Sequence, residues 1–131
     1  MVKIDHIAIA VNNIGASLSI YKDILGFPSP NIEEVPRDSV RVAFLGIGES
    51  SIELVEPISP QSSIAKFIEK KGEGLHHICY EVDDIEETLK KFKNKGIELI
   101  DKIPRQGAHG NKVAFVHPKG LNGVLVELKQ K

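Results

Sequence analysis

The sequence predicts an α+β fold made of two tandem βαβββ modules that pair edge to edge. Three observations carry that expectation. First, 4-IDHIAIAVNNIGASL-18 lies over 75-LHHICYEVDDIEETL-89 without a gap, at a constant offset of 71 residues. His6-Ile7 falls on His77-Ile78, Val11 on Val82, Asn12-Asn13 on Asp83-Asp84, Ile14 on Ile85 and Leu18 on Leu89. Second, strand and helix signals recur in the same order in each half. Third, 131 residues at 41% hydrophobic suit one ordinary core, and neither half alone is long enough to close one. The expected organisation is a single domain, 1–131, with repeats at about 1–60 and 72–131 joined by a linker carrying a short helix.

The elements follow in order. Residues 3–11 (KIDHIAIAV) alternate and are rich in branched apolar side chains, which reads as a strand. Asn12 and Asn13 turn the chain and offer side-chain oxygens to the first free N–H groups of a helix. That helix covers 14–25, with Ile14, Leu18, Tyr21, Ile24 and Leu25 at helical spacing, and Gly26 stops it. Strands are expected at 32–36, 39–46 and 50–56, and a short helix at 62–70. The second copy repeats the plan: a strand at 75–82, Asp83-Asp84, a helix at 85–95 stopped by Gly96, and strands near 97–103, 111–117 and 123–129.

Composition narrows the function classes. Seventeen basic and 18 acidic residues are mixed along the chain, with a net charge of −1 and no basic stripe, so no nucleic-acid partner is expected. No apolar run is long enough to span a bilayer, and MVKIDHI leads directly into a strand, so neither a membrane partner nor a signal peptide is expected. One cysteine, Cys79, forms no internal disulfide framework and fits a reducing cytoplasm.

Side chains alternate across a strand. His6, Ala8 and Ala10 therefore share one face, and His77, Cys79 and Glu81 share the matching face of the second copy. The bulky faces, Ile7-Ile9-Val11 and Ile78-Tyr80-Val82, must pack on helices. The repeat makes His77 the twin of His6 and turns His76 the other way. A second pair lies in the last strand of each copy. Glu53 in 52-IELVE-56 matches Glu127 in 124-VLVEL-128 at an offset of 74, a small insertion beyond 71. A carboxylate in mid-strand is depleted by propensity and costly to bury unpaired. A lone one would be read as solvent-facing, but two at matched positions, each with a matched histidine, point to a split site. Two imidazoles and two carboxylates, His6, Glu53, His77 and Glu127, suit a divalent metal with positions left for substrate.

This H…E…H…E pattern on a doubled βαβββ module resembles the vicinal oxygen chelate superfamily, which includes the glyoxalase, bleomycin-resistance and dioxygenase proteins, over nearly the whole chain. Its fold is a curved, eight-stranded, open-barrel sheet. The stretches 4-IDHIAIAV-11, 52-IELVEP-57, 64-IAKFIEKKGEGLHHICYEVDDI-85 and 107-GAHGNKVAFVHPKGLNGVLVEL-128 resemble the methylmalonyl-CoA epimerase branch in particular. The resemblance implies one divalent ion per chain (Co2+, Ni2+, Zn2+, Mn2+ or Mg2+) held by His6, Glu53, His77 and Glu127. It implies a small-molecule CoA thioester as partner, a homodimer, and interconversion of (2R)- and (2S)-methylmalonyl-CoA through a metal-stabilised enolate. Glu127 would then be ligand and proton carrier at once. A second carrier stays open among Glu53, His109, Lys112 and a metal-bound water, since strand 40–45 offers only Arg41. The alternatives are a glyoxalase I-like lactoylglutathione lyase and a metal-free small-molecule binder of the same fold.

Other polar residues have simpler readings. His117 before Pro118 suits a loop role, and the Gly-rich loop 105-RQGAHGNK-112 either turns the chain or touches the CoA tail. Cys79 reads as a small packing residue and His76 as a packing residue on the helix side. Asp83, Asp84, Glu86 and Glu87 suit the positive end of a helix dipole.

Overall fold

Both copies begin with an eight-residue strand that hands over to a helix through a short polar side chain. The computed structural model describes the backbone of residues 1–131 and every side chain except that of Ala108. In the first copy β1 covers Lys3–Ala10 and α1 covers Ile14–Tyr21; in the second, β5 covers Gly74–Glu81 and α3 covers Ile85–Asn94. Asn13 Oδ1 accepts from the backbone N–H of Ala16 at 2.8 Å, and Asp84 Oδ1 from that of Glu87 at 3.1 Å. Each acceptor satisfies an N–H that the helix itself leaves without a partner. Glu56 Oε1 accepts from Ile14 N–H at 2.7 Å and Gln130 Oε1 from Ile85 N–H at 2.8 Å. Glu56 and Gln130 stand 74 residues apart, the spacing of Glu53 and Glu127. The final strand of each copy therefore carries its glutamate and, three residues on, the side chain that closes its helix.

The other elements are β2 (Asn31–Val35), β3 (Val40–Ile47), β4 (Ser50–Pro57), α2 (Ser63–Lys71), β6 (Arg105–Gln106), β7 (Lys112–Val116) and β8 (Val126–Gln130). The doubled βαβββ plan is present, with α2 in the linker. Three boundaries differ from expectation. The first helix ends at Tyr21 rather than 25, because Ile24 and Leu25 have no surface to bury against and stay 76% and 59% exposed. The strand expected over 97–103 reduces to one bridge, Leu99 with Val116. There the Asp101 carboxylate, at 2.8 Å, takes the Phe115 N–H that a ladder would use, and Pro104 has no N–H to offer. Pairing resumes only in the two-residue β6. The last strand starts at Val126 rather than 123, since Asn122 and Gly123 turn the chain with φ of 58° and 82°.

The chain forms two compact units: a terminal unit, Met1–His6 with His77–Lys131, and a middle unit, Ile7–His76. Strand order in the terminal unit is β1-β5-β8-β7-β6, with β5 and β8 parallel and β8, β7 and β6 antiparallel. Its core packs Val82, Ile85, Leu89, Ala114, Val116, Val126 and Leu128, so α3 lies on the Tyr80-Val82 face. In the middle unit the order is β2-β3-β4-β1. Val11, Ile14, Ala43, Leu45 and Leu54 pack under α1, on the bulky face as alternation requires. The opposite, small-residue face is also covered. Ala8 and Ala10 lie with Val42, Val55 and Ile64 of α2; two methyl side chains leave the depth that an isoleucine fills. Among the described residues no helix is long and apolar enough to cross a membrane.

Candidate metal centre

Three strands of the terminal unit bring three donors to one point. His6 comes from β1, His77 from β5 and Glu127 from β8, where β5–β8 pairing sets Cys79 opposite Glu127. His6 Nε2 lies 3.2 Å from His77 Nε2, and the two nitrogens lie 3.2 and 3.1 Å from Glu127 Oε1. Both histidines are buried, at 6% and 8% exposure. Phe115, opposite Glu127 on β7, packs its ring edge-on to His77 at 5.2 Å between centroids. The Arg105 guanidinium lies over that phenyl ring at 5.4 Å.

Electrostatics hold the Glu127 carboxylate ionised. Burial alone would raise its carboxyl, but the His6 and His77 rings beside it outweigh that. The net effect holds Glu127 well below the ordinary carboxylate range. Behind His6, Asp5 Oδ2 accepts from Nδ1 at 2.8 Å and from Lys129 Nζ at 3.1 Å. The His6 hydrogen bond, opposed by burial and reinforced by Lys129, brings Asp5 down to about 2. Cys79, fully buried beside them, is pushed up to about 12, chiefly by burial. It remains a thiol, in keeping with a packing role.

The donor set fits a metal ion. Three donors at about 2.1 Å from a common ion and at right angles to one another lie about 3.0 Å apart, close to the observed triangle. Imidazole nitrogen and carboxylate oxygen are the ligands that divalent first-row metals prefer. Among the described residues His6, His77 and Glu127 form one group with metal-ligating reach, and Asp5, His6 and Cys79 form another.

Glu53 belongs to the middle unit. It lies half-buried on β4, opposite Phe44, and alternates with Val55 so that it shares the Ala8 and Ala10 face. His76 turns from His77 as alternation requires and stacks edge-on against Phe67 of the linker helix, at 4.9 Å. Lys112 pairs with Glu86 at 3.1 Å, at the start of α3, and His109 is exposed in the turn before β7. His117 Nδ1 accepts from Lys119 N–H at 3.0 Å, which makes it the cap of a short turn. Arg41 pairs with Glu34 and Glu56 at 3.3 and 3.1 Å, on the face away from Ala8.

Sequence reasoning overlooked Asp5 and Lys129, which stand behind His6. Asp5 adjoins a candidate ligand histidine, and the habit of ligand histidines of leaning on a carboxylate could have flagged it. Glu33 stands opposite Val42, which stands opposite Val55, so it shares the face of Glu53. Only the register reveals that, and nothing in the sequence ties Lys129 to Asp5.

A sequence profile of the Glyoxalase/Bleomycin resistance protein/Dioxygenase superfamily matches residues 5–115. The chain belongs to this superfamily. It is 40% identical over 130 residues to the ethylmalonyl-CoA/methylmalonyl-CoA epimerase of Cereibacter sphaeroides, covering 98% of this chain and 97% of that one. It is also 40% identical to the mitochondrial methylmalonyl-CoA epimerase of Dictyostelium discoideum, over 98% of this chain and 78% of that one. A solved structure of a methylmalonyl-CoA epimerase in complex with methylmalonyl-CoA and NH4+ superimposes with a TM-score of 0.91 at 34% identity. That match covers 100% of this chain and 95% of the other. The eight-stranded fold expected from the doubled sequence is the fold of this family.

Proposed function

We propose that this protein is a metal-dependent methylmalonyl-CoA epimerase, with the whole chain acting as one domain. The observation that carries the reading is the triangle of His6 Nε2, His77 Nε2 and Glu127 Oε1, with sides of 3.1 to 3.2 Å. Kinship to epimerases over almost the full chain supports the substrate. His6, His77 and Glu127 would hold a divalent ion, with Glu53, the counterpart of Glu127 in the repeat, proposed as the fourth ligand. When bound, the ion supplies Lewis-acid stabilisation of the negative charge that develops on the thioester oxygen.

The chain's own groups move the proton. The C2 hydrogen of methylmalonyl-CoA is acidic because it stands between a thioester carbonyl and a carboxylate. Glu127, held ionised, is in the state that accepts a proton, and we assign it to one face of C2. Inversion requires a second carrier on the opposite face. Glu53, His109, Lys112 and a metal-bound water are the candidates for that role; of these, Lys112 is paired with Glu86. Phe115 and the buried Cys79 limit the water around the centre.

The reading is tested by proton exchange. With Mn2+ or Co2+ added, the protein should exchange the C2 proton of methylmalonyl-CoA with solvent deuterium. It should turn over the hemithioacetal of methylglyoxal and a thiol only weakly. Robust lyase turnover without exchange would move the assignment to the glyoxalase-type reaction, and binding without either reaction would make it a small-molecule binder.

A further inference from the structure

An imidazole can serve a metal through Nε2 only if its proton resides on Nδ1 or is absent. At His6 that choice is contested. Glu127 Oε1 lies 3.2 Å from His6 Nε2 and would accept a proton there. Asp5 Oδ2 lies 2.8 Å from His6 Nδ1 and would accept one on the other side. The Asp5 contact is the shorter, and a second donor fixes its acceptor: Lys129 Nζ is 3.1 Å from the same oxygen. Both members of that pair are largely buried, with side chains 10% and 18% exposed. Lys129 stands two residues after Glu127 on β8, so the strand that supplies the carboxylate ligand also anchors Asp5.

We infer that Asp5, clamped by Lys129, is a positioning residue that keeps the His6 proton on Nδ1 and leaves Nε2 as a lone-pair donor. The inference rests on the reading of His6 as a metal ligand. At the matched position of the second copy His76 stands in place of Asp5 and packs on Phe67.

Two measurements test this together. In metal-free protein, ring nitrogen shifts of labelled histidine should report the Nδ1–H form of His6, and Asp5→Ala should convert it to the Nε2–H form. Asp5→Asn, which keeps an oxygen acceptor, should restore Nδ1–H. Mn2+ affinity should fall about 10- to 100-fold in Asp5→Ala, the usual effect of removing such a partner. Lys129→Met should weaken it less, with the tautomer unchanged. An Asp5→Ala protein that keeps Nδ1–H, or a wild type with both His6 nitrogens protonated, overturns the proposal. So does Mn2+ binding in Asp5→Ala within about twofold of wild type. Should Asp5→Ala not fold, Lys129→Met with undiminished Mn2+ affinity would remove the clamp. If the wild type binds no Mn2+, the metal reading fails, while the tautomer measurement still judges Asp5.

Discussion

In β1 the candidate ligand His6 follows Asp5; in β5, at the matched position, His77 follows His76. The two strands are copies in length and in the face they bury, and each leads into a helix capped three residues in by a short polar side chain. They differ in what grips the ring. His6 is tied by a hydrogen bond to Asp5, whereas His77 is wedged edge-on against Phe115 and against His6 itself, at 5.2 and 5.3 Å. Where the second copy lacks a carboxylate, its His76 packs the linker helix instead. A duplicated scaffold thus repeats the candidate ligand, because the donor position is set by the strand. The neighbouring position has diverged, because it faces a different surface in each copy.

The largest expected effect breaks both sides of this comparison at once. His6→Ala or His77→Ala should abolish tight binding of one divalent ion per chain, while His76→Ala should leave it largely intact. Calorimetric titration with Mn2+ decides the matter, and loss of binding in His76→Ala would show that the strand face has been misassigned.

Next in size is Glu127, the proposed proton carrier, which both rings contact. Glu127→Gln keeps an oxygen donor but has no group to carry a proton, so deuterium exchange at saturating metal should fall by about 10² to 10⁴. Glu53→Gln should be milder. Unchanged exchange in Glu127→Gln, with metal bound, would leave that residue a ligand only.

A smaller effect tests the packing of the second copy. Phe67→Ala removes the ring against His76 and should cost about 1 to 2 kcal/mol by chemical denaturation, as for a half-buried aromatic side chain, without changing Mn2+ affinity. Smaller again, the caps should prove equivalent. Asn13→Ala and Asp84→Ala should each cost about 1 kcal/mol. A cap that costs nothing would show that Glu56 or Gln130 closes its helix alone. Last, Cys79 should resist thiol reagents in the folded protein and react on unfolding, since burial both hides the sulfur and raises it to about 12.

The sequence by itself determined the doubling and the element types, and it singled out His6, His77 and Glu127, which the structure brings within 3.2 Å of one another. Repetition is visible in one dimension: an ungapped offset of 71 aligns His6 with His77, and strand alternation sorts His77 from His76 without coordinates. It also matched Glu127 to Glu53 through a small change of offset, which Glu56 and Gln130 repeat. The reading missed where strands were stopped by side chains reaching across, as at Asp101, whose carboxylate takes an N–H fourteen residues away. Only the tertiary structure decided which groups stand behind the donors. Asp5 meets Lys129 across 124 residues of chain, and Glu33 reaches the face of Glu53 through β3. Periodicity records which way a side chain points from its own strand. Which strand lies beside it, and at what register, depends on long-range pairing that local pattern does not encode.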